Sequence, residues 1–351
     1  MSEQLKRKAL FNAQGDTDVR QRRMINGNTT NLNDFNTLKY GWVSDWYRQA
    51  MNNFWIPEEI NLGQDLKDYP KLEPAVKTAL DKTLSFLIFL DSIQTANLPN
   101  IAEVITANEI NLCLTIQAFQ EAVHSQSYSY MLDSFCSPDQ RTEILYQWKN
   151  DPRLLKRNEF IGGLYNEFME QRTPVQLMKT LIANYILEGI YFYSGFMFFY
   201  NLGRMGLMPG SVQEIRYINR DENTHLWLFR SMILELRKEE PQLFTPQLEQ
   251  LYRDMLKQGV EEEIAWGCAI LGDEIPGLNK TDDPRLHPLS RQPARPGNSS
   301  GNSLSGRRGR TGVDEMGQSV CQRQSDQNRF LRSPLQRLCE GFRPQGRPVS
   351  R

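Results

Sequence analysis

The sequence lacks the features of a secreted or disulfide-stapled protein. Its five cysteines are odd in number and none lies close to another, which argues against the paired framework of small extracellular domains. No apolar run follows the Met-Ser-Glu start, so a secretory signal is not indicated. These absences predict a protein of the reducing cytoplasm.

Excess positive charge is also missing from most of the chain, although the net charge of −1 conceals this. Residues 281–351 contain 13 arginines, no lysine and six acidic residues, a balance of +7, so residues 1–280 carry −8. An acidic body of this kind argues against binding the phosphate backbone of a nucleic acid.

A membrane-spanning segment is the third absence. The longest apolar stretch lies between Lys179 and Arg204, with Glu188 as its only charge. Asn184, Glu188 and several tyrosines would be costly in lipid, and no second span follows. We therefore expect a core helix here and no membrane partner.

Strand patterns are scarce, whereas the sequence from about residue 65 to residue 271 predicts successive long helices. Thr173-Pro174 predicts an N-cap with proline at the first helical position, Ser211-Val-Gln-Glu214 predicts a capping box, and Ser137-Pro138 ends the helix before it. The predicted helices run near 74–98, 103–134, 142–170, 174–203, 212–238 and 246–270. Those near 84–98 and 181–200 are apolar nearly all round, which places them inside an all-α bundle.

Composition divides the chain into three predicted parts. Residues 1–37, rich in Asn, Gln and Arg, read as a flexible leader, and residues 38–280 form the helical domain. Residues 281–351 change abruptly to Arg, Pro, Gly and Ser, with Phe330 and Phe342 as their only aromatic residues. This tail has too little apolar material to fold alone, so we expect it to be disordered.

Histidine is the scarcest residue, yet two of the three histidines share one local pattern: Glu121-Ala-Val-His124 and Glu222-Asn-Thr-His225. Positions i and i+3 lie on one face of a helix, so each pair projects a carboxylate and an imidazole in the same direction. A single pair of this kind is more often an ordinary pair of side chains on a helix surface than a metal site. The repetition points instead to a shared site.

A carboxylate in an apolar helix precedes each pair, because Asp91 lies 30 residues before Glu121 and Glu188 lies 34 residues before Glu222. An isolated buried carboxylate is costly, and a metal ion removes that cost. Four carboxylates nearly neutralise two divalent ions, and imidazoles suit iron or manganese. The pattern therefore predicts a helical bundle that holds two metal ions in its core.

With these motifs the sequence resembles the small, radical-generating subunit of class I ribonucleotide reductase. The resemblance runs from about Trp42 to Asn279 and rests on the segments FWIPEEI, FLDSIQ, FQEAVHSQSY, LEGIYFYSGF and INRDENTHL. It implies a ferritin-like bundle with a dinuclear metal site, whose six ligands are Asp91, Glu121, His124, Glu188, Glu222 and His225. It also implies a homodimer, and a large catalytic subunit that uses the radical to reduce ribonucleotides to deoxyribonucleotides.

Tyr128 follows His124 by four residues, so one helical turn brings its ring toward the predicted ligands. In the resembling family this position carries the tyrosine that is oxidised to a stable radical. A buried core tyrosine with a hydrogen-bond partner is the alternative. Phe192 and Phe196, four residues apart, are expected to wall the radical pocket and keep it dry.

Asp221 directly precedes the ligand Glu222, and Trp55 begins the WIPEEI turn. The resemblance implies that these two residues link His124 to the protein surface and carry coupled electron and proton transfer. Orientation of an imidazole by Asp221 and simple packing by Trp55 are the alternatives.

Two other classes of protein would use the same kinds of metal ligand. A ferritin-like iron-storage protein would use the same groups but has no need of Tyr128, Asp221 and Trp55 together. Another dimetal oxidase, such as a desaturase or a ligand-binding oxidase, would need a channel for an apolar substrate. The metal itself stays open, since carboxylate-rich sites accept two iron ions, two manganese ions or a mixed pair.

The tail departs from the resembling family, whose members continue with more helix and end in a peptide that carries a relay tyrosine and docks the large subunit. No tyrosine follows Tyr252 here, and the arginine-rich composition is that of a GC-rich gene read out of frame. We hypothesise a frameshift just after Lys280. A genuine disordered extension, or a nucleic-acid-binding tail suggested by Arg307-Arg308-Gly309-Arg310, are the alternatives.

Overall fold

The computed structural model describes residues 4–271 and 275–278, which all belong to the unit Met1–Asp282. Ten α-helices dominate this part of the chain. They are α1 (Trp42–Asn52), α2 (Asp65–Asp68), α3 (Pro74–Ala102), α4 (Asn108–Phe135), α5 (Pro138–Tyr146), α6 (Pro152–Glu170), α7 (Pro174–Ile186), α8 (Tyr193–Arg204), α9 (Pro209–Glu239) and α10 (Pro246–Leu271). The predicted all-α fold is confirmed.

The long helices α3 and α4 pack along each other, and α9 lies against α4 and α7. A π-helical turn, Leu187–Tyr191, joins α7 to α8 inside the apolar stretch noted above. Most side chains of this stretch are buried. Among the described residues, no helix is long and apolar enough to cross a membrane.

The predicted helix start near residue 103 is wrong. The helix α3 continues past its internal Pro99 to Ala102, and α4 begins only at Asn108. The connection between them is fixed by the N-terminal residues, because the Lys8 Nζ donates to the carbonyl oxygens of Ala102 and Ile105. These partners lie about 95 residues away in sequence, beyond the reach of local pattern.

The predicted single helix 142–170 is also wrong, because the structure has α5, a 3₁₀ turn at Gln147–Lys149 and then α6. Asp151 caps the start of the second helix: its carboxylate accepts from the backbone N–H of Arg153 and of Leu154. Pro152 disfavours helical geometry at the residue before it. An aspartate and proline together therefore mark a new helix start.

The capping box predicted at Ser211 is wrong as well. The helix α9 begins at Pro209, and its first N–H groups are capped from a distance: Asp65 accepts from Gly210 N at 2.9 Å and from Ser211 N at 2.7 Å. Gly210 is required there because a Cβ atom would lie 2.7 Å from the Asn61 carbonyl oxygen. Glu214 is consequently free of a capping role and is fully buried.

The other two boundaries agree with the sequence. The Thr173 side chain accepts from Gln176 N and caps α7. The helix α4 ends at Phe135, before Ser137, and Ser137 also forms a capping box with Gln140 at the start of α5.

The described part of the leader lies against the helices. Met24 and Ile25 are fully buried, Thr106 N donates to the Met24 carbonyl at 2.8 Å, and Ile25 forms an isolated antiparallel bridge with Ile105. The flexibility of residues 1–37 and the boundaries of the three parts stay predictions. The predictions for residues 281–351 lie outside the described residues.

Candidate metal centre

Four helical segments bring the six predicted ligands together. Asp91 comes from α3, Glu121 and His124 from α4, Glu188 from the π turn, and the last pair, Glu222 and His225, from α9. All six side chains are at most 3% exposed. The two Glu-x-x-His pairs therefore face one another across the core.

The six residues form two overlapping sets of four. One set is Asp91, Glu121, His124 and Glu222, and the other is Glu121, Glu188, Glu222 and His225; within each set one ligand atom per residue lies within 4.8 Å of the others. Glu121 and Glu222 belong to both sets. Shared carboxylates are the arrangement expected of two metal positions side by side.

The donor atoms in the centre fit two divalent cations. Several of them are buried and make no hydrogen bond among the described residues: Asp91 Oδ1 and Oδ2, Glu121 Oε2, His124 Nδ1, Glu188 Oε2 and Glu222 Oε1. Buried polar atoms without partners are costly, and four buried carboxylates more so. Two divalent ions would neutralise the four carboxylates and satisfy these atoms.

The two histidines point the same nitrogen at the centre. His124 Nδ1 lies 3.1 Å from Glu222 Oε1, and His225 Nδ1 lies 2.9 Å from Glu222 Oε2 and 3.2 Å from Glu121 Oε1. Their Nε2 atoms point outward, to Asp221 and to Gln120 respectively. An outward hydrogen bond on Nε2 leaves Nδ1 available as the metal-binding atom.

Charges in the centre shift the pKa values of its members strongly. Burial raises the pKa of Asp91, and the neighbouring carboxylates raise it further. Burial likewise raises the pKa of Glu188, against the opposing effect of His225. Burial acts in the same direction on Glu121, but His225 and His124 outweigh it and lower that pKa to about 2.

The same carboxylates act on the histidines. Burial favours the neutral imidazole, yet hydrogen bonds to Asp221, Glu121 and Glu222 raise the pKa of His124 well above its usual value. Without metal ions, protons on the imidazoles offset part of the negative charge.

Tyr128 is fully buried on α4, one turn after His124, and its hydroxyl makes no hydrogen bond among the described residues. Burial and the negative charge of Asp91 raise the pKa of the Tyr128 phenol well above its usual value. The phenol is therefore protonated in the resting protein. Phe192 and Phe196 are both buried, with ring centroids 5.6 Å apart, and their role as pocket walls stays a prediction.

Asp221 connects the centre to Trp55. One oxygen, Asp221 Oδ2, accepts from Trp55 Nε1 at 2.8 Å and lies 3.3 Å from His124 Nε2. The other oxygen lies 3.3 Å from Arg220 Nε. Trp55 is 4% exposed, and its ring centroid is 6.4 Å from that of His124. These contacts form a continuous hydrogen-bonded path from His124 to Trp55.

Buried glutamines around the centre were missed by the sequence analysis. Gln94 and Gln117 both donate to Glu188 Oε1, and Gln117 Nε2 also lies 3.2 Å from Glu121 Oε1. Gln120 Oε1 lies 3.0 Å from His225 Nε2. A signal existed for two of them, since Gln94 follows Asp91 by three residues and Gln117 precedes Glu121 by four, which places each on the ligand face of its helix.

Comparisons with known proteins agree on one family. The family model "Ribonucleotide reductase, small chain" matches residues 32–283. The ribonucleoside-diphosphate reductase subunit beta of Treponema pallidum (strain Nichols) is 71% identical over 276 residues, which cover 79% of this chain and 79% of that protein.

Two solved structures are also similar to this chain. The ribonucleotide reductase R2 subunit from Clostridium botulinum is 49% identical, with a TM-score of 0.77 over 80% of this chain and 87% of that one. The dimanganese(II)-NrdF of Streptococcus sanguinis is 25% identical, with a TM-score of 0.61 over 70% of this chain and 85% of that one.

Proposed function

The chain belongs to the ribonucleotide reductase small-chain family, and on that premise we propose that its buried centre binds two metal ions and stores a radical on Tyr128. Its function is that of a ribonucleoside-diphosphate reductase subunit beta. Family membership, rather than the ligand set, separates this function from iron storage and from the other dimetal oxidases.

The six ligands of the proposed site are Asp91, Glu121, His124, Glu188, Glu222 and His225, with Glu121 and Glu222 shared between the two positions. Two bound iron ions, two manganese ions or a mixed pair, oxidised by dioxygen or by a reduced oxygen species, would supply the one-electron oxidation of a nearby phenol. The observation that carries this proposal is the overlap of the two four-residue sets at carboxylate oxygens that have no other partner among the described residues.

Tyr128 is the proposed site of that oxidation. The phenol must lose its proton as it loses an electron, and Asp91 is the charged group that acts most strongly on the pKa of this phenol. We propose that Asp91 accepts the proton. Burial of Tyr128 keeps water and solvent reductants away, which favours a long-lived radical.

We propose that the radical leaves the centre along the path from His124 through Asp221 to Trp55. Asp221 Oδ2 contacts both the His124 Nε2 and the Trp55 Nε1, so it can hold the imidazole in one orientation and pass a proton between the two rings. We propose that Trp55 and Asp221 carry coupled electron and proton transfer toward the large catalytic subunit, which then reduces ribonucleotides.

Aerobic reconstitution with iron and with manganese, followed by low-temperature electron paramagnetic resonance, tests the proposal. Purified protein is expected to bind two metal ions per chain and to give a sharp organic radical signal with at least one of the two metals. A His225→Ala variant is expected to lose one ion. Two equivalents bound by that variant with unchanged affinity would contradict the proposed ligand set.

We further propose a homodimer that works with the large subunit in the cytoplasm, without nucleic-acid or membrane partners. The match to the family model ends at residue 283, close to the hypothesised frameshift after Lys280. The chain as written is therefore expected to bind metals and oxidise Tyr128 but to dock poorly on the large subunit. A family-like helix absent from every reading frame beyond codon 280, or full turnover by this chain, would contradict the frameshift.

A further inference from the structure

The π turn that carries Glu188 interrupts the regular hydrogen bonding between α7 and α8. A π turn inserts one residue into a helix, so nearby backbone groups lose their usual i to i−4 partners. Such groups need other partners when they are buried. Two of them, the Tyr191 carbonyl and the Ser194 N–H, lie at the downstream end of the turn.

A single buried ion pair satisfies both groups. Arg157 on α6 donates through Nη2 to the Tyr191 carbonyl at 3.1 Å and to Glu263 Oε2. Glu263 on α10 uses its other oxygen, Oε1, to accept from Ser194 N at 2.7 Å. We refer to Arg157 and Glu263 together as the clamp.

The clamp is enclosed by aromatic rings. The Arg157 side chain is 1% exposed, and its guanidinium carbon lies 4.0 Å from the ring centroid of Phe86 and 4.1 Å from that of Tyr191. Trp266 on α10 lies 5.5 Å from the same carbon. Stacking on rings holds the guanidinium in one plane, which fixes the direction of its hydrogen bonds.

A buried ion pair of this kind is not explained by stability alone. The cost of removing both charges from water offsets most of their attraction, and well-packed apolar residues often do as well. The clamp instead does something that apolar residues cannot do, since Arg157 donates to the carbonyl of the last residue of the π turn and Glu263 accepts from an N–H three residues further on. The clamp therefore fixes the position at which the π turn ends.

We propose that Arg157 and Glu263 are positioning residues that fix the π turn and thereby aim Glu188 at one of the two metal positions. This inference rests on the proposed dimetal function. Glu188 belongs to only one of the two ligand sets, the one that contains His225. Loosening the clamp is therefore expected to weaken one metal position and to spare the other, which contains Asp91 and His124.

The test uses Arg157→Met, with Glu263→Gln as a milder second variant should the first fold poorly. The matched control is Arg22→Met, which breaks another ion pair with a buried carboxylate, Arg22 to Glu109 at 2.7 Å, away from the π turn. Manganese is titrated into metal-free full-length protein, and bound metal per chain is measured after equilibrium dialysis. The second equivalent is expected to bind about 10- to 100-fold more weakly in the clamp variants, with the first unchanged.

Hydrogen exchange of metal-free protein gives an independent readout. The amides of residues 187–194 are expected to exchange faster in the clamp variants than in wild type or in the control. Equal weakening of both equivalents, an unchanged second equivalent, or unchanged exchange at residues 187–194 would each overturn the inference. Failure of the wild type to bind a second ion would contradict the proposed metal centre itself, and the exchange result would still decide whether the clamp fixes the turn.

Discussion

The two halves of the proposed metal centre offer the same kinds of donor group but have different surroundings. We call the half with Asp91 and His124 the tyrosine side, because Tyr128 lies one helical turn after His124 and the charge of Asp91 raises the pKa of its phenol. On this side the outer nitrogen of His124 meets the Asp221 carboxylate. The half with Glu188 and His225 is the glutamine side. Its outer contacts are the neutral amides of Gln94, Gln117 and Gln120.

This difference separates two tasks. A carboxylate can accept a proton and pass it on, whereas an amide can only orient its neighbour at neutral pH. The tyrosine side therefore has the groups needed to move protons together with electrons, and it opens to Trp55 through Asp221. The glutamine side has groups that hold Glu188 and His225 still. We expect substitutions on the two sides to fail in different ways.

The largest expected effect is that of Tyr128→Phe. Loss of the hydroxyl removes the group that is oxidised, so the organic radical signal and turnover with the large subunit should both be abolished. Metal binding should stay at two ions per chain, because Tyr128 is not a ligand. Electron paramagnetic resonance and metal analysis on the same sample check both statements.

A second buried tyrosine provides the control for that experiment. Tyr165 is almost as buried as Tyr128, but its hydroxyl donates at 2.9 Å to Gln94 Oε1, an amide that cannot take up the proton. Tyr165→Phe should therefore leave the radical signal in place. A signal that depended on Tyr165 and survived without Tyr128 would show that the two sides have been assigned the wrong way round.

The next effect concerns the exit from the tyrosine side. Trp55→Phe keeps an aromatic ring but removes the N–H that donates to Asp221 at 2.8 Å. The stored radical should still form, while turnover with the large subunit should fall about 100-fold or more, the scale of losing a proton-transfer group. Trp46→Phe is the matched control, since Trp46 is also buried but donates to the Thr224 carbonyl. Equal losses of turnover in the Trp55 and Trp46 variants would mean that Trp55 serves only in packing.

On the glutamine side the expected effect is smaller and concerns metal affinity. Gln120→Leu removes the partner of His225 Nε2, so the imidazole loses its fixed orientation. Metal affinity should fall by about 10- to 100-fold, the usual effect of losing such a partner. The radical yield per fully loaded chain should be unchanged. A yield that fell with full metal occupancy would mean that this side also takes part in radical formation.

The fold and the grouping of the six candidate ligands could be predicted because their signals are local. Two Glu-x-x-His pairs lie on helices, and helical spacing alone puts both members on one face. Asp91 and Glu188 stand out as single charges in apolar helices. Helical spacing orients each pair, and packing of four helical segments brings the six side chains together.

The features that sequence reasoning missed depend on distant partners. Asp65 caps α9 from about 145 residues away, and this replaced the capping box expected at Ser211. The π turn depends on Arg157 and Glu263, which lie on α6 and α10. Gln120 directly precedes Glu121 and so carried no spacing signal. Such contacts are set by packing between helices, which a linear pattern does not encode.

The smallest expected effect on activity concerns a buried carboxyl that belongs to neither ligand set. Glu214 is fully buried, and burial raises its pKa to about 9. The charges of Asp65 and Glu58 act in the same direction, and Ser127 opposes them. Glu214 is thus neutral at pH 7 by protonation, whereas the carboxylates of the proposed metal centre would be offset by bound ions. The protonation of Glu214 can be tested by measuring the free energy of unfolding as a function of pH.

Because the folded pKa of Glu214 lies above its ordinary value of 4.5, the folded state binds the proton more tightly than the unfolded state does. The resulting stability is fully present below pH 4.5 and is lost as pH rises through about 9. Glu214→Gln has no proton to lose, so metal-free variant and wild type should diverge from pH 6 to pH 9, with wild type losing about 1.4 kcal/mol more for each pH unit. Urea unfolding at each pH measures this difference, and the exposed Glu59→Gln serves as the control. Parallel curves for wild type and Glu214→Gln would mean that Glu214 is ionised in the fold and must have a cationic partner, as the metal ligands do.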